Sequence, residues 1–133
     1  MGAQLAKDAI DLGIVVKDKD AALKFYRDTL GFEFVEETDM GHGTLMQRLN
    51  CGNTLIKLLT FAETPKASAP PGGIIGGTGY RYWTIFVSNL EELVAEVRAA
   101  GYSVPWDIRE IRPGVTIAMV EDPDGNWVEL IQG

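Results

Sequence analysis

An internal repeat constrains this chain more than any other feature. Residues 10–32 read IDLGIVVKDKDAALKFYRDTLGF, and residues 81–102 read RYWTIFVSNLEELVAEVRAAGY. Each is an apolar strand, a short polar corner and an amphipathic helix closed by Gly31 or Gly101 and an aromatic residue. Each is followed by an apolar stretch that starts after a Gly-Asn pair: Gly52-Asn53 before Thr54–Leu59, and Gly125-Asn126 before Trp127–Ile131. A repeat of this size means two copies of one supersecondary unit built to pack on each other. It also allows positions to be compared between copies within a single chain.

The first copy, about residues 8–61, opens with a strand over Ile10–Val16. Asp18 or Asp20 caps the helix that follows, in which Ala22, Leu23, Tyr26 and Leu30 form one stripe. Phe32–Glu37, Thr44–Asn50 and Thr54–Phe61 read as three further strands, with Met40–Gly43 and Cys51–Asn53 as turns. The second copy, about residues 80–133, opens with Tyr82–Val87. Ser88 followed by Glu91 reads as a capping box, and Leu90, Leu93, Val94 and Val97 recur at helical spacing. Ser103–Ile108, Val115–Glu121 and Trp127–Gln132 complete it, with an emphatic turn at Asp122–Asn126. Between the copies, AETPKASAPPGGIIGGTG (residues 62–79) reads as a mobile linker; the alternative is a binding loop in which Ile74 and Ile75 fold over a ligand. The order is βαβββ twice, an α+β fold in one domain of 133 residues. Each sheet, covered by a helix on one face, leaves its other face free to line a cleft.

Composition excludes some functions. The chain is 46% apolar and 23% charged, which is ordinary for a soluble domain, and no apolar run reaches the length of a membrane span. The start, MGAQLAKDAID, has no long apolar stretch, so a cytoplasmic location is expected. A net charge of −7 argues against nucleic acid, which needs clustered Lys and Arg, and suits a cationic ligand. The single cysteine, Cys51, excludes an intrachain disulfide and reads as a small residue beside a turn. The sole histidine, His42, lies in a glycine-flanked turn that faces solvent.

The spacing strand–DxD–helix–FYRDTLGF, with a second module ending EDPDGNWVEL, resembles the vicinal oxygen chelate superfamily, that is, the glyoxalase, bleomycin resistance and extradiol dioxygenase proteins. The resemblance implies an open, cupped sheet of two βαβββ modules, a homodimer, a small-molecule ligand and, in the enzymes, a divalent metal on four strands. Carried over position by position, the first ligand falls on Asp11, five residues before Val16, and its second-module match on Tyr82, five before Val87. The ligand after DPDGN falls on Glu129. Its first-module counterpart falls on Lys57, or on Ile56 if the strand slips by one residue. Only Glu129 is a usual ligand type at these positions.

That departure has a chemical meaning. Lys57 is an ammonium with no lone pair to donate, and neutral Tyr82 is a poor ligand, with an ordinary pKa near ~10. No metal or other cofactor is expected; if a divalent ion binds, Asp11 and Glu129 are the two hard oxygen donors for it. Strand alternation places Asp11, Gly13 and Val15 on one face, and Leu55, Lys57 and Leu59 on another. It does the same for Tyr82, Thr84 and Phe86, and for Trp127, Glu129 and Ile131. If these faces line the cleft, one ammonium sits between two carboxylates, with Tyr82, Phe86, Trp127 and Trp106 available to stack on a planar ligand. The leading expectation is a binder of a small, cationic aromatic molecule, similar to the bleomycin-resistance branch, with Asp11, Lys57, Tyr82, Thr84, Phe86, Trp127 and Glu129 at the ligand. The alternative is a lyase, isomerase or dioxygenase, metal-dependent or using Tyr82, Glu129 and Lys57 for proton transfer. A purely assembly-mediating domain is the third reading.

Overall fold

The structure, a computed structural model, describes residues 2–133. The chain divides into two compact units, one running up to Pro65 and the other spanning Lys66–Gly133. In the first, the order is β1 (Asp11–Val15), α1 (Lys19–Leu23), a π-helical turn (Lys24–Thr29), β2 (Glu33–Gly41), β3 (Thr44–Cys51) and β4 (Thr54–Thr60). In the second it is a 3-10 turn (Gly73–Ile75), β5 (Tyr82–Phe86), α2 (Leu90–Ala99), β6 (Trp106–Arg112), β7 (Val115–Glu121) and β8 (Trp127–Gln132). Each unit is therefore a βαβββ module, as the repeat predicts. Its sheet is four-stranded and open, in the order β1-β4-β3-β2 or β5-β8-β7-β6. The first and last strands of each module pair in parallel and the remaining pairs are antiparallel.

Burial alternates along β4 and β8 with the period of two expected of a sheet with a helix on one face, whereas on β7 Ile117, Ala118, Met119 and Val120 are all buried, so both faces of that strand are covered. Leu49, Ile56 and Leu58 are fully buried in the first module, as are Ala118, Val120, Val128 and Leu130 in the second. The opposite face of β1 and β4 carries Asp11, Gly13, Val15, Leu55, Lys57 and Leu59, all only partly buried or exposed. Among the described residues, no helix is long and apolar enough to cross a membrane.

Helix ends show where local reading succeeds and where it fails. Asp18 caps α1, its Oδ1 accepting from the N–H groups of Asp20 (2.8 Å) and Ala21 (3.3 Å). The next turn widens, so that the Leu30 N–H donates to the Phe25 carbonyl (2.9 Å), five residues back. This brings Phe25 into the core beside Tyr26, ring edge to ring face at 4.8 Å, while Leu30, expected on the stripe, is only partly buried. The capping box read at Ser88 is absent. Asn89 occupies the N-cap without a side-chain bond, and the Leu90 N–H donates instead to Oε1 of Gln132 on β8, at 2.8 Å. A partner 42 residues away supplies the cap, which no local pattern can reveal.

The Asp122–Asn126 turn has the order its sequence promises. The buried Asp122 carboxylate accepts from the N–H groups of Asp124 and Asn126 (both 2.8 Å) and from Asn126 Nδ2 (3.0 Å). This turn sets the start of β8 and hence the height of Trp127 and Glu129 on the sheet.

Candidate functional site

The two modules can be superimposed by register alone. In the first, Asp11 is opposite Leu55 and Gly13 is opposite Lys57; in the second, Tyr82 is opposite Trp127 and Thr84 is opposite Glu129. Asp11 and Tyr82 each begin their strand, and Lys57 stands where Glu129 stands. Ile56 is fully buried on the helix-covered face, so Lys57, and not Ile56, is the counterpart of Glu129.

On the open face of the first module, Lys57 Nζ lies 3.1 Å from Oδ2 of Asp11, and the other oxygen of that carboxylate accepts from Lys7 Nζ at 2.6 Å. The arrangement inverts the sequence expectation within this module: one carboxylate sits between two ammonium groups. The hydrogen bonds from Lys7 and then Lys57 hold the Asp11 carboxyl below the usual carboxylate range. Arg48 is directly opposite Lys57 on β3 and reaches Glu36 of β2 at 3.7 Å.

On the open face of the second module, Thr84 Oγ1 donates to Glu129 Oε1 at 2.8 Å. Tyr82 is about half exposed and Phe86 is 81% exposed. Trp127 is heavily engaged. Its Nε1–H donates to Glu121 Oε1 at 3.1 Å, and its ring meets Trp106 edge-on with centroids 6.1 Å apart. The Arg109 guanidinium lies 4.1 Å over the Trp106 ring.

The Gly73–Ile75 turn completes this cluster. Any Cβ on Gly73 would fall 2.2 Å from Cη2 of Trp127, so glycine is required for the backbone to lie against the indole. Arg81 fastens the segment, donating to the carbonyls of Gly73 (Nε, 2.8 Å) and Pro70 (Nη2, 2.7 Å). Composition alone, which suggests a mobile linker, gives no hint of this anchoring.

Sequence reasoning missed Arg48, Lys7, Arg109, Glu121 and Arg81. Arg48 was within reach: the two-residue Gly52-Asn53 turn fixes the β3–β4 register, and counting back from it places Arg48 opposite Lys57. Lys7 precedes β1 in irregular chain and left no signal. A groove of about 730 Å³ lies at the N-terminal end of α2, bordered by Ser88, Asn89, Glu92, Ile108, Thr116 and Gln132. None of the candidate residues lines it.

The Glyoxalase/Bleomycin resistance protein/Dioxygenase superfamily pattern matches residues 9–130, which take in both modules. The chain belongs to that superfamily. Among relatives within the glyoxalase superfamily, a probable lactoylglutathione lyase of Synechocystis is 30% identical over 125 residues, covering 90% of each chain. The trypanothione-dependent glyoxalase I of Leishmania major is similar in structure, with a TM-score of 0.70 at 26% identity over 92% of this chain and 84% of that one. A Bacillus cereus glyoxalase family protein reaches a TM-score of 0.82 at 15% identity, over 98% and 95% of the two chains. At that identity the last comparison speaks for the fold alone.

Proposed function

We propose that this protein is a small-molecule-binding member of the glyoxalase superfamily in which the Lys57 ammonium, held by Asp11, takes the place of a divalent cation. The 3.1 Å Lys57–Asp11 pair carries the reading. A metal needs lone pairs from its ligands; an ammonium has none and repels a second cation. Both Asp11 oxygens already face ammonium groups. Tyr82 is a phenol, and Glu129 accepts from Thr84. Taken unit by unit, neither the Asp11–Lys57 pair nor Tyr82 with Glu129 offers a donor set that fits a divalent cation.

The ligand of this reading is small, with apolar or aromatic surface to set against Tyr82 and Phe86. The acid nearest Lys57 is shared by two lysines, and Arg109 already lies over Trp106. These commitments favour a neutral or anionic ligand over the cationic aromatic suggested by net charge. A cytoplasmic homodimer belongs to the same proposal, with sedimentation velocity as the check on assembly.

Elemental analysis of the purified protein tests the central claim: a metal well below one equivalent is expected, and a stoichiometric first-row ion would overturn it. Tryptophan fluorescence titrations against neutral, anionic and cationic aromatics test the ligand class.

The names of the relatives favour a second reading, an enzyme of the lactoylglutathione lyase type. Proton transfer would then rest on Glu129, Tyr82 and Lys57, which are of suitable chemical types. Lactoylglutathione lyase activity, assayed with and without added nickel or zinc, separates the two readings. Turnover that depends on added metal would support the second and sink the first.

A further inference from the structure

We infer that the open face of the first module carries an anion subsite, in which the Lys57 ammonium and the Arg48 guanidinium, beside the side-chain gap at Gly13, take a carboxylate or phosphate group of the ligand. The inference deepens the ligand-binding reading and rests on it for the existence of a ligand. The charge arrangement stands independently of whether the protein uses a metal.

Arg48 and Lys57 are directly opposite on antiparallel neighbours, so their side chains leave the same face side by side. Like charges in that position are unfavourable unless something lies between them. Across the sheet the row reads Gly13, Lys57, Arg48, Glu36: two cations and one carboxylate. Glu36 approaches Arg48 only to 3.7 Å. Asp11, in the next row, is shared with Lys7, and Glu33 in that row accepts from Asn50. The row keeps an excess of positive charge in a chain of net charge −7.

The position beside Lys57 is also empty of side chain. A Cβ built on Gly13 meets nothing closer than Leu59 Cδ1, at 3.9 Å. Gly13 is not among the glycines with positive φ, so the backbone does not require glycine there. Glycine inside a strand weakens it, and it recurs where a ligand approaches closely. The second module shows the contrast: the equivalent residue is Thr84, which fills the space and fastens Glu129. In the first module the flank of Lys57 is left open. A guanidinium fork and an ammonium around such a gap match the oxygens of a carboxylate or phosphate.

The test is a titration of ¹⁵N-labelled, chelator-treated protein with inorganic phosphate and, separately, acetate, against chloride at matched ionic strength. Saturable shifts at the amides of Gly13, Arg48 and Lys57, beyond those with chloride, are expected. A response to phosphate alone assigns a phosphate-bearing ligand, and a response to acetate alone assigns a carboxylate-bearing one. Lys57→Met should weaken binding about tenfold or more, the loss of one hydrogen bond to a charged group, and Gly13→Val, which keeps every charge but fills the gap, should weaken it by a similar factor through steric exclusion of the anion. If Gly13→Val disturbs the spectrum throughout, Arg48→Gln takes its place with the same expected loss. Shifts no larger than with chloride, or an affinity unchanged in Lys57→Met, would overturn the subsite. A stoichiometric metal in untreated protein would defeat the metal-free reading and leave this titration to decide the subsite by itself.

Discussion

Lys57 Nζ lies 3.1 Å from Asp11 Oδ2 while both side chains stay about 30% exposed, and Asp11 keeps a second cation in Lys7. An ion pair in that setting is screened by solvent and has a substitute partner. Lys57→Met is therefore expected to change the melting temperature little, because the carboxylate retains Lys7. Thermal denaturation at neutral pH checks this; a large loss would mean that the fold, and not the ligand, depends on the pair.

The acid limb of stability should carry the signature of the same carboxylate. Lys7 first, and Lys57 second, depress the Asp11 pKa in the folded state. A depressed carboxyl contributes stability that is fully present above its unfolded value of about 3.9 and is lost as pH falls through the lower folded value. Glu37, held down by Lys19 and then Gln47, adds a contribution of the same sign. Lys7→Met should raise the Asp11 pKa toward the ordinary range, read directly from the ¹³C shift of the side-chain carboxyl. No movement would remove Lys7 from the account.

The strap at Gly73 should depend on Arg81. Arg81→Ala removes every side-chain donor to the Pro70 and Gly73 carbonyls and should increase solvent access to Trp127, seen as a red-shifted emission and stronger quenching by acrylamide. Gly73→Val combines a left-handed φ of 65° with overlap on the indole ring and should cost about 1–3 kcal/mol. An unchanged emission spectrum in both variants would show that the strap does not hold the ring.

Asp122→Ala should cost about 2 kcal/mol or more, since it strands the N–H groups of Asp124 and Asn126 beside a buried site. Denaturant unfolding measures this directly. Asp122→Asn, which keeps one acceptor oxygen, should recover part of the loss.

The second helix needs Gln132. Gln132→Ala removes the acceptor for the Leu90 N–H and should cost about 1 kcal/mol, whereas Ser88→Ala should be close to neutral. The reverse ranking in denaturant unfolding would restore the local capping box.

The sequence by itself determined the duplicated βαβββ order, the buried faces of β4 and β8 and the Asp122–Asn126 turn, because these depend on neighbours in the chain, while β2 runs on to Gly41 and the sixth strand spans Trp106–Arg112 rather than Ser103–Ile108. Alternating apolar residues choose which side of β4 and β8 is buried, and Asp122-Pro123-Asp124-Gly125-Asn126 is made of residues that favour a turn, with the Asp122 carboxylate closing it locally. The counterpart of Glu129 stayed ambiguous between Ile56 and Lys57, because a one-residue slip leaves the local pattern nearly unchanged. Only pairing across the sheet decided it, by setting Lys57 opposite Gly13 as Glu129 is opposite Thr84. Tertiary structure alone also chose Gln132 over Ser88 as the cap of α2, Lys7 as the second partner of Asp11, and Trp127 as the seat of Gly73. Each of these joins groups whose attraction depends on a distance in space that spacing along the chain does not encode.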